Sequence, residues 1–349
     1  MFTRSDAEKL RLSLPPMQFF PTAGPARPSI RDSFSFNSAI KETAPTNNSL
    51  TKSELLLQQY RDFYSFDFIS NSQFSHSAGL VESSEFTIVA QYFCDSGSNQ
   101  IGTAFLLHGL FDHTGIYGRL IEHCLSQGYG VVIFDMPGHG LSSGEPASID
   151  SFLCYVQAFV AVVEKAKKQA LPQPWITLGQ STGASVLIDS ILSDSMIASI
   201  GFRKIILLGP LLRPYLWNRS RIIFTFSRMF FKSTLRKFSE NSHDVDFLQF
   251  IRHQDPLQPK RIPRSWVFAM MDFQKRFAVA ATSDLELNII QGDEDKTVDW
   301  KFNLQRLQIK FPNSNSKIVR EGRHHLVNES LEIRQMVFDM ISAIVQGSE

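Results

Sequence analysis

Cysteine is scarce in this chain: Cys94, Cys124 and Cys154 are the only three among 349 residues, and they follow no disulfide or metal spacing. That argues against a disulfide-stapled secreted fold and favours a reducing compartment. Long apolar runs are missing as well. No stretch approaches the roughly 20 residues that span a bilayer, and the Pro-rich N-terminal stretch has no apolar signal core. Net charge is almost absent, at +1, so no overall field steers the chain to nucleic acid. No internal repeat is visible. A cytoplasmic protein without nucleic-acid partner, cofactor or metal is the expectation.

What is present is core-forming material. The chain is 43% hydrophobic and 12% aromatic, enough for one large domain with insertions or two ordinary ones. Residues 1–50 hold six of the sixteen prolines with much Ser, Asn and Thr, and read as a weakly ordered extension. Order is expected from Thr51-Lys-Ser-Glu54, a capping-box pattern ahead of Leu55 to Phe63. Ser75–Val81 and Phe86–Phe93 read as antiparallel strands.

From Gly102 short apolar strands alternate with longer helical segments. Strands are predicted at Thr103–Leu107, Gly130–Phe134, Trp175–Leu178, Lys204–Leu208, Leu285–Ile290 and Lys317–Val319. Helices are predicted at Ile116–Gln127, Ile149–Gln169, Thr182–Leu192, Trp300–Lys310 and Asn328–Val345. Such alternation means an α/β fold, a mostly parallel sheet with helices on both faces. The alternation breaks once. Residues 209–280 show no clear strand and read as a helical cap between two parts of one core, 51–208 and 281–349.

Gly179-Gln180-Ser181-Thr182-Gly183 is the stretch that carries chemistry. The bare Gly-x-Ser-x-Gly pattern arises by chance in roughly one chain in ten of this length. Here it joins a predicted strand to a predicted helix, the context of a nucleophile elbow that lifts a serine hydroxyl above the sheet. A serine hydroxyl is inert at neutral pH without a base, and the base needs an acid to hold its tautomer. In such a sheet the acid and then the base follow the serine in the chain.

Only four of nine histidines lie beyond Ser181. His243 and His253 fall in the insertion, which leaves His324 or His325, after the last strand. Three carboxylates compete for the acid: Asp293, Glu294 and Asp295, after Gln291-Gly292. Asp295 lies in the loop proper and is preferred, with Asp293 second. An oxyanion needs backbone donors. Thr182, the residue after the nucleophile, offers one amide, and Leu110 in the loop Leu107-His-Gly-Leu-Phe-Asp-His113 offers the other. His108 and His113 lack a third metal ligand nearby, so bracing of that loop is their expected role.

With His108-Gly109-x-x-x-His113, Asp135-Met-Pro-Gly-His-Gly-Leu-Ser142, Gly179 to Gly183, Gly292-x-x-Asp295 and Arg323-His324-x-Leu326 in this order, the chain resembles the α/β-hydrolases. It is most similar to the branch of monoacylglycerol lipases, bacterial lysophospholipases and serine aminopeptidase-like proteins, from about Ser75 to the C-terminus. The resemblance implies Ser181 as nucleophile, Asp295 as acid, His324 as base, and Leu110 and Thr182 as the oxyanion hole. Asp135 and Gly138 to Gly140 would shape a nearby turn. The chain departs from the branch at Asp112, where Glu is common, at Gln180 and Thr182 around the serine, and at the second histidine, His325.

The leading expectation is therefore acyl-serine hydrolysis of a lipid ester, a lysophospholipid or monoacylglycerol. An aminopeptidase would need cap carboxylates for a substrate ammonium, with Glu240, Asp244, Asp246 and Asp255 as candidates. An acyltransferase would use the same acyl-enzyme, and a non-catalytic binding protein would use only the scaffold. One further feature bears on partners. Residues 195–239 hold nine basic residues and no Asp or Glu. Over 213–238 the basic residues are interleaved with aromatics, a pattern expected to contact anionic membrane peripherally, at its inner face.

Overall fold

The computed structural model of the chain describes residues 1–19, 50–69, 73–97, 100–193, 199–217 and 232–347. Eight strands form one sheet in the order β1-β2-β4-β3-β5-β6-β9-β10. They are β1 (Phe74–Ser83), β2 (Phe86–Asp95), β3 (Gly102–Leu107), β4 (Tyr129–Phe134), β5 (Trp175–Gln180), β6 (Lys204–Leu208), β9 (Asn288–Gly292) and β10 (Asn315–Val319). β1 and β2 form an antiparallel hairpin, β2 joins β4 antiparallel, and every pair from β4 to β10 is parallel. This is the expected α/β architecture.

The central strands are mostly apolar because both faces are covered. On β3, Phe105 and Leu107 enter one core while Ala104 and Leu106 enter the other. On β4, Val132 and Phe134 divide from Val131 and Ile133 in the same way. The first core is closed by α4 (Phe152–Lys168), α5 (Thr182–Ser193) and α7 (Arg264–Val279). The second is closed by α3 (Gly118–Ser126) and α9 (Leu331–Gln346). α8 (Trp300–Lys310) precedes β10. The expected capping box is present at the start of α2 (Lys52–Phe63), where Glu54 N–H donates to the Thr51 hydroxyl and the Glu54 carboxylate accepts from Thr51 N–H.

Two expectations need correction. Residues 1–19 are not a weakly ordered extension. α1 (Arg4–Ser13) starts with a capping box between Thr3 and Asp6, and Phe2, Ala7, Leu10 and Leu14 are buried against α2 and its surroundings. The chain then runs along the sheet edge, where Met17 N–H donates to Leu80 O and Leu80 N–H to Pro15 O, each at 2.8 Å. Met17 and Phe19 are fully buried. Pro16 suits this edge position because the N–H group it lacks would face away from the ladder. Residues 20–49 lie outside the described residues.

The insertion, expected without strands, contains an antiparallel ribbon of β7 (Ser233–Leu235) and β8 (Arg261–Pro263). Three-residue strands are too short to show a period, and their partners are far apart in sequence. α6 (Val245–Gln249) and a π-helical turn at Phe250–Gln254 lie between them.

A buried cluster ties the insertion to the core. The Asp255 carboxylate accepts from Tyr64 Oη at 2.8 Å, His113 Nε2 at 2.9 Å, and Leu257 N and Gln258 Nε2 at 3.0 Å each. Burial works to raise the Asp255 pKa, but His113 and the donors around it hold it below the ordinary value. Asp255→Ala removes four bonds and strands their donors, so it is expected to lower unfolding stability by about 3 kcal/mol. Urea denaturation checks this, and a change under about 1 kcal/mol would contradict the role given to the cluster.

Candidate active site

Ser181 is the single residue between β5 and α5, and its φ is +54°. A left-handed serine is strained by roughly 1 kcal/mol or more, so its surroundings must impose the conformation. Ser181 N–H donates to Leu208 O at 2.8 Å, while its carbonyl accepts from Ser185 N at 3.1 Å and Leu211 N at 3.3 Å. The flanking glycines are required for space. A Cβ on Gly183 would lie 2.2 Å from the Leu107 carbonyl oxygen, and one on Gly179 would lie 2.7 Å from the Ala184 nitrogen.

His324 Nε2 lies 2.8 Å from Ser181 Oγ, and His324 Nδ1 lies 2.7 Å from Asp295 Oδ2. Asp295 accepts at Nδ1–H, so Nε2 is left free to accept the serine proton. Burial of the His324 ring works to lower its pKa, but the Asp295 carboxylate outweighs this and leaves it above the ordinary histidine value. Burial likewise works to raise Asp295, and His324 together with the Val298 amide holds it low.

The three competing carboxylates separate cleanly. Asp295 is buried, with Oδ1 accepting from Thr297 N at 2.8 Å and Val298 N at 3.0 Å. Asp293 is exposed and accepts from Glu321 N at 2.7 Å, which braces the turn leading to His324. Glu294 is exposed. The two adjacent histidines diverge as well. His325 Nε2 stands 3.3 Å from Asp112 Oδ2, without hydrogen-bond alignment, and its ring meets Phe247 at 4.9 Å between centroids.

The loop after β3 brings Leu110 to the same cavity as Ser181 and Thr182. No hydrogen bond occupies either the Leu110 or the Thr182 amide among the described residues. Gly109 N–H donates to Tyr117 Oη at 3.1 Å and to Asp112 Oδ2 at 3.2 Å, and Tyr117 Oη donates to Asp112 at 3.0 Å. Burial works to raise the Asp112 pKa, yet His325 and Tyr117 hold it below the ordinary value. His108 accepts from Met136 N at 2.9 Å and lies 2.8 Å from Gly109 O, so it links the ends of β3 and β4. His113 instead faces Asp255, and no group of three metal-ligating side chains occurs among the described residues. Asp135 accepts from Thr114 N and Leu141 N at 2.7 Å each, holding the loop after β4.

Three positioning residues escaped the sequence. Gln180 Nε2 donates to the His324 carbonyl at 2.9 Å, and Gln291 Nε2 donates to Asp295 Oδ2 at 3.1 Å. The third is Tyr117. Gln180 stood out in the elbow as an unusual residue, but nothing local marked Gln291 or Tyr117.

The cavity over Ser181 encloses about 280 Å³. Leu211, Trp217, Ile251, Ile262, Trp266, Val267 and Met270 form an apolar wall, while Arg236 and Lys237 enter from the insertion. None of Glu240, Asp244, Asp246 and Asp255 lines it. Asp244 caps α6 and pairs with Arg119 at 2.7 Å, and Asp255 is spent on its own cluster. Of the segment 213–238, residues 218–231, with Arg219, Arg221 and Arg228, lie outside the described residues. Arg213 is paired with Asp299 and stacks on Phe302. No helix among the described residues is long and apolar enough to cross a membrane.

The chain is similar to several known proteins. Residues 98–331 match the family described as serine aminopeptidase, S33. A monoglyceride lipase homolog of monkeypox virus is 26% identical over 242 residues, 68% of this chain and 86% of that one. A probable lysophospholipase L2 of Haemophilus influenzae is 21% identical over 262 residues, 68% of this chain and 81% of that one. Among solved structures, a monoglyceride lipase from Saccharomyces cerevisiae bound to a substrate analog superposes with a TM-score of 0.66 at 17% identity. It covers 76% of this chain and 93% of that one.

Proposed function

The chain belongs to the serine aminopeptidase S33 family of α/β-hydrolases, and from that premise we propose that it hydrolyses monoacyl lipid esters through an acyl-serine intermediate. One observation carries the reading: the unbroken relay from Asp295 through His324 to Ser181, at 2.7 and 2.8 Å, under an apolar cavity. Ser181 Oγ attacks the ester carbonyl as its proton passes to His324 Nε2, and the Leu110 and Thr182 amides take the oxyanion. His324 then returns the proton to the departing alcohol. Water repeats the sequence on the acyl-serine and releases the acid. The apolar wall accepts the acyl chain.

The relatives named monoglyceride lipase and lysophospholipase support a lipid ester as substrate. An aminopeptidase reading is not favoured, because the four cap carboxylates expected to hold a substrate ammonium lie outside the cavity, Asp112 on its wall is engaged by Gly109 and Tyr117, and Arg236 and Lys237 line it as well. Fluorophosphonate labelling of Ser181, run beside a panel of monoacylglycerols, lysophospholipids and aminoacyl amides, tests the proposal. Labelling with amide turnover and no ester turnover would overturn it.

The pH profile gives an independent check. His324 acts only when neutral, and its pKa is raised, so kcat/KM falls as pH drops through a midpoint above about 6.5. Asp295→Asn removes the charge that raises this pKa, so the residual activity should show its acidic limb at lower pH. A limb unmoved by that substitution would assign the titration to another group.

A further inference from the structure

Among the described residues, Arg236 is a cation whose surroundings the reaction does not explain. It follows β7 and is half-buried, with its guanidinium 4.1 Å from the Phe111 ring centroid and 4.3 Å from that of Phe238. Nη1 donates to Gln258 Oε1 at 2.6 Å. Nε and Nη2 have no partner among the described residues, and no carboxylate comes within ion-pairing distance. Burial pulls its pKa down to about 10, with Asp112 and Asp255 offsetting this only in part. The group is still charged at neutral pH.

A partly desolvated guanidinium without a carboxylate is costly unless something else answers it. Here the open donors belong to a residue on the wall of the Ser181 cavity. The next residue, Lys237, lines the same cavity, is exposed and has no partner among the described residues. The only carboxylate on that wall among the described residues, Asp112, already faces His325. The stack is also built at a cost, because Phe111 holds a φ of +71°. Behind Arg236, its partners Gln258 and Phe238 line a second groove of about 950 Å³, which carries Arg4, Lys232, Arg252, Lys260 and Arg261 beside Glu145 and Asp255. Basic side chains outnumber acidic ones along that groove.

Resting on the acyl-serine reading, we infer that Arg236, assisted by Lys237, is a specificity residue for the head group, binding the phosphate of a lysophospholipid whose ester carbonyl lies over Ser181. The planar fork suits phosphate oxygens, and Phe111 and Phe238 fix its plane. A neutral monoacylglycerol fills the apolar wall equally well but leaves the fork unanswered.

Two substrates that differ only in the phosphate test this: decanoyl glycerol and decanoyl glycerol 3-phosphate, both kept below their aggregation concentrations. The wild-type kcat/KM is expected to favour the phosphate ester by about tenfold or more, the worth of a charge-assisted hydrogen bond. Arg236→Gln should lower that ratio by about tenfold or more through KM, and Arg236→Lys should restore part of it. A wild type that prefers the neutral ester, or an Arg236→Gln variant that loses both substrates equally, overturns the inference. If Arg236→Gln does not fold, the wild type decides. Glycerol 3-phosphate should then inhibit decanoyl glycerol hydrolysis competitively while glycerol does not, and equal inhibition by the two is the overturning result. Fluorophosphonate labelling separates the two readings. A labelled, active enzyme without phosphate preference sinks this inference alone, whereas neither labelling nor turnover sinks the acyl-serine reading and this one with it.

Discussion

Ser181→Ala is expected to lower kcat on a monoacyl ester on the order of a millionfold, the loss seen when a serine nucleophile is removed from an intact triad. Among the described residues no other hydroxyl bonds to His324 Nε2. What remains is catalysis by the oxyanion amides and by binding, roughly a thousandfold or more above water. Alanine also removes only one oxygen, and the backbone bonds from Leu208, Ser185 and Leu211 that hold the left-handed turn stay in place. The fold should survive, and substrate binding should be retained. His324→Ala should be similarly severe, whereas His325→Ala should keep most of the rate, because that ring faces Asp112 and Phe247. Steady-state kinetics with a circular dichroism control measure all three. An active Ser181→Ala enzyme, or a dead His325→Ala beside a live His324→Ala, would refute the assignment.

Asp295→Asn is expected to cost about ten-thousandfold in kcat with little change in stability, and the hydrogen bonds give the reason. Thr297 N and Val298 N both donate to Oδ1, so an asparagine must place its carbonyl oxygen there. Its NH2 group then takes the Oδ2 position, facing His324 Nδ1. Two donors cannot share that contact. The imidazole moves its proton to Nε2, where it confronts the Ser181 hydroxyl and no longer accepts from it. Asp293→Asn makes the comparison sharp. Its oxygen accepts from Glu321 N, which an amide oxygen does equally well, and it lies outside the relay. A loss within severalfold is expected there. Similar losses in both variants would show that the loop acts as a unit and that Asp295 has no special role.

The same loop shows where sequence stops and tertiary structure takes over. The elbow was legible because it is local: glycines at 179 and 183, an apolar strand before and a helix after lie within about a dozen residues. The parallel sheet was legible for a related reason, since strands buried on both faces are continuous apolar runs. Asp293, Glu294 and Asp295 look alike in one dimension, and so do His324 and His325. Only the direction in which each side chain leaves the backbone distinguishes them, and that direction depends on bonds between distant segments, from Glu294 N to Gly322 O and from His325 N to Asn241 O. The N-terminal helix was missed because its apolar residues have meaning only against α2 and β1, which its composition does not announce. The Asp255 cluster joins residues up to 191 positions apart, and no short-range pattern reports such a bond. Arg236 is the clearest case. In the sequence it is one of nine basic residues within 195–239, a stretch without Asp or Glu. Folding places it between two aromatic rings and on the wall of the Ser181 cavity, because the strand it follows pairs with one that starts 25 residues further along the chain. Chemistry confined to one turn of chain was written in order. Chemistry assembled across the sheet and its insertion was decided by packing.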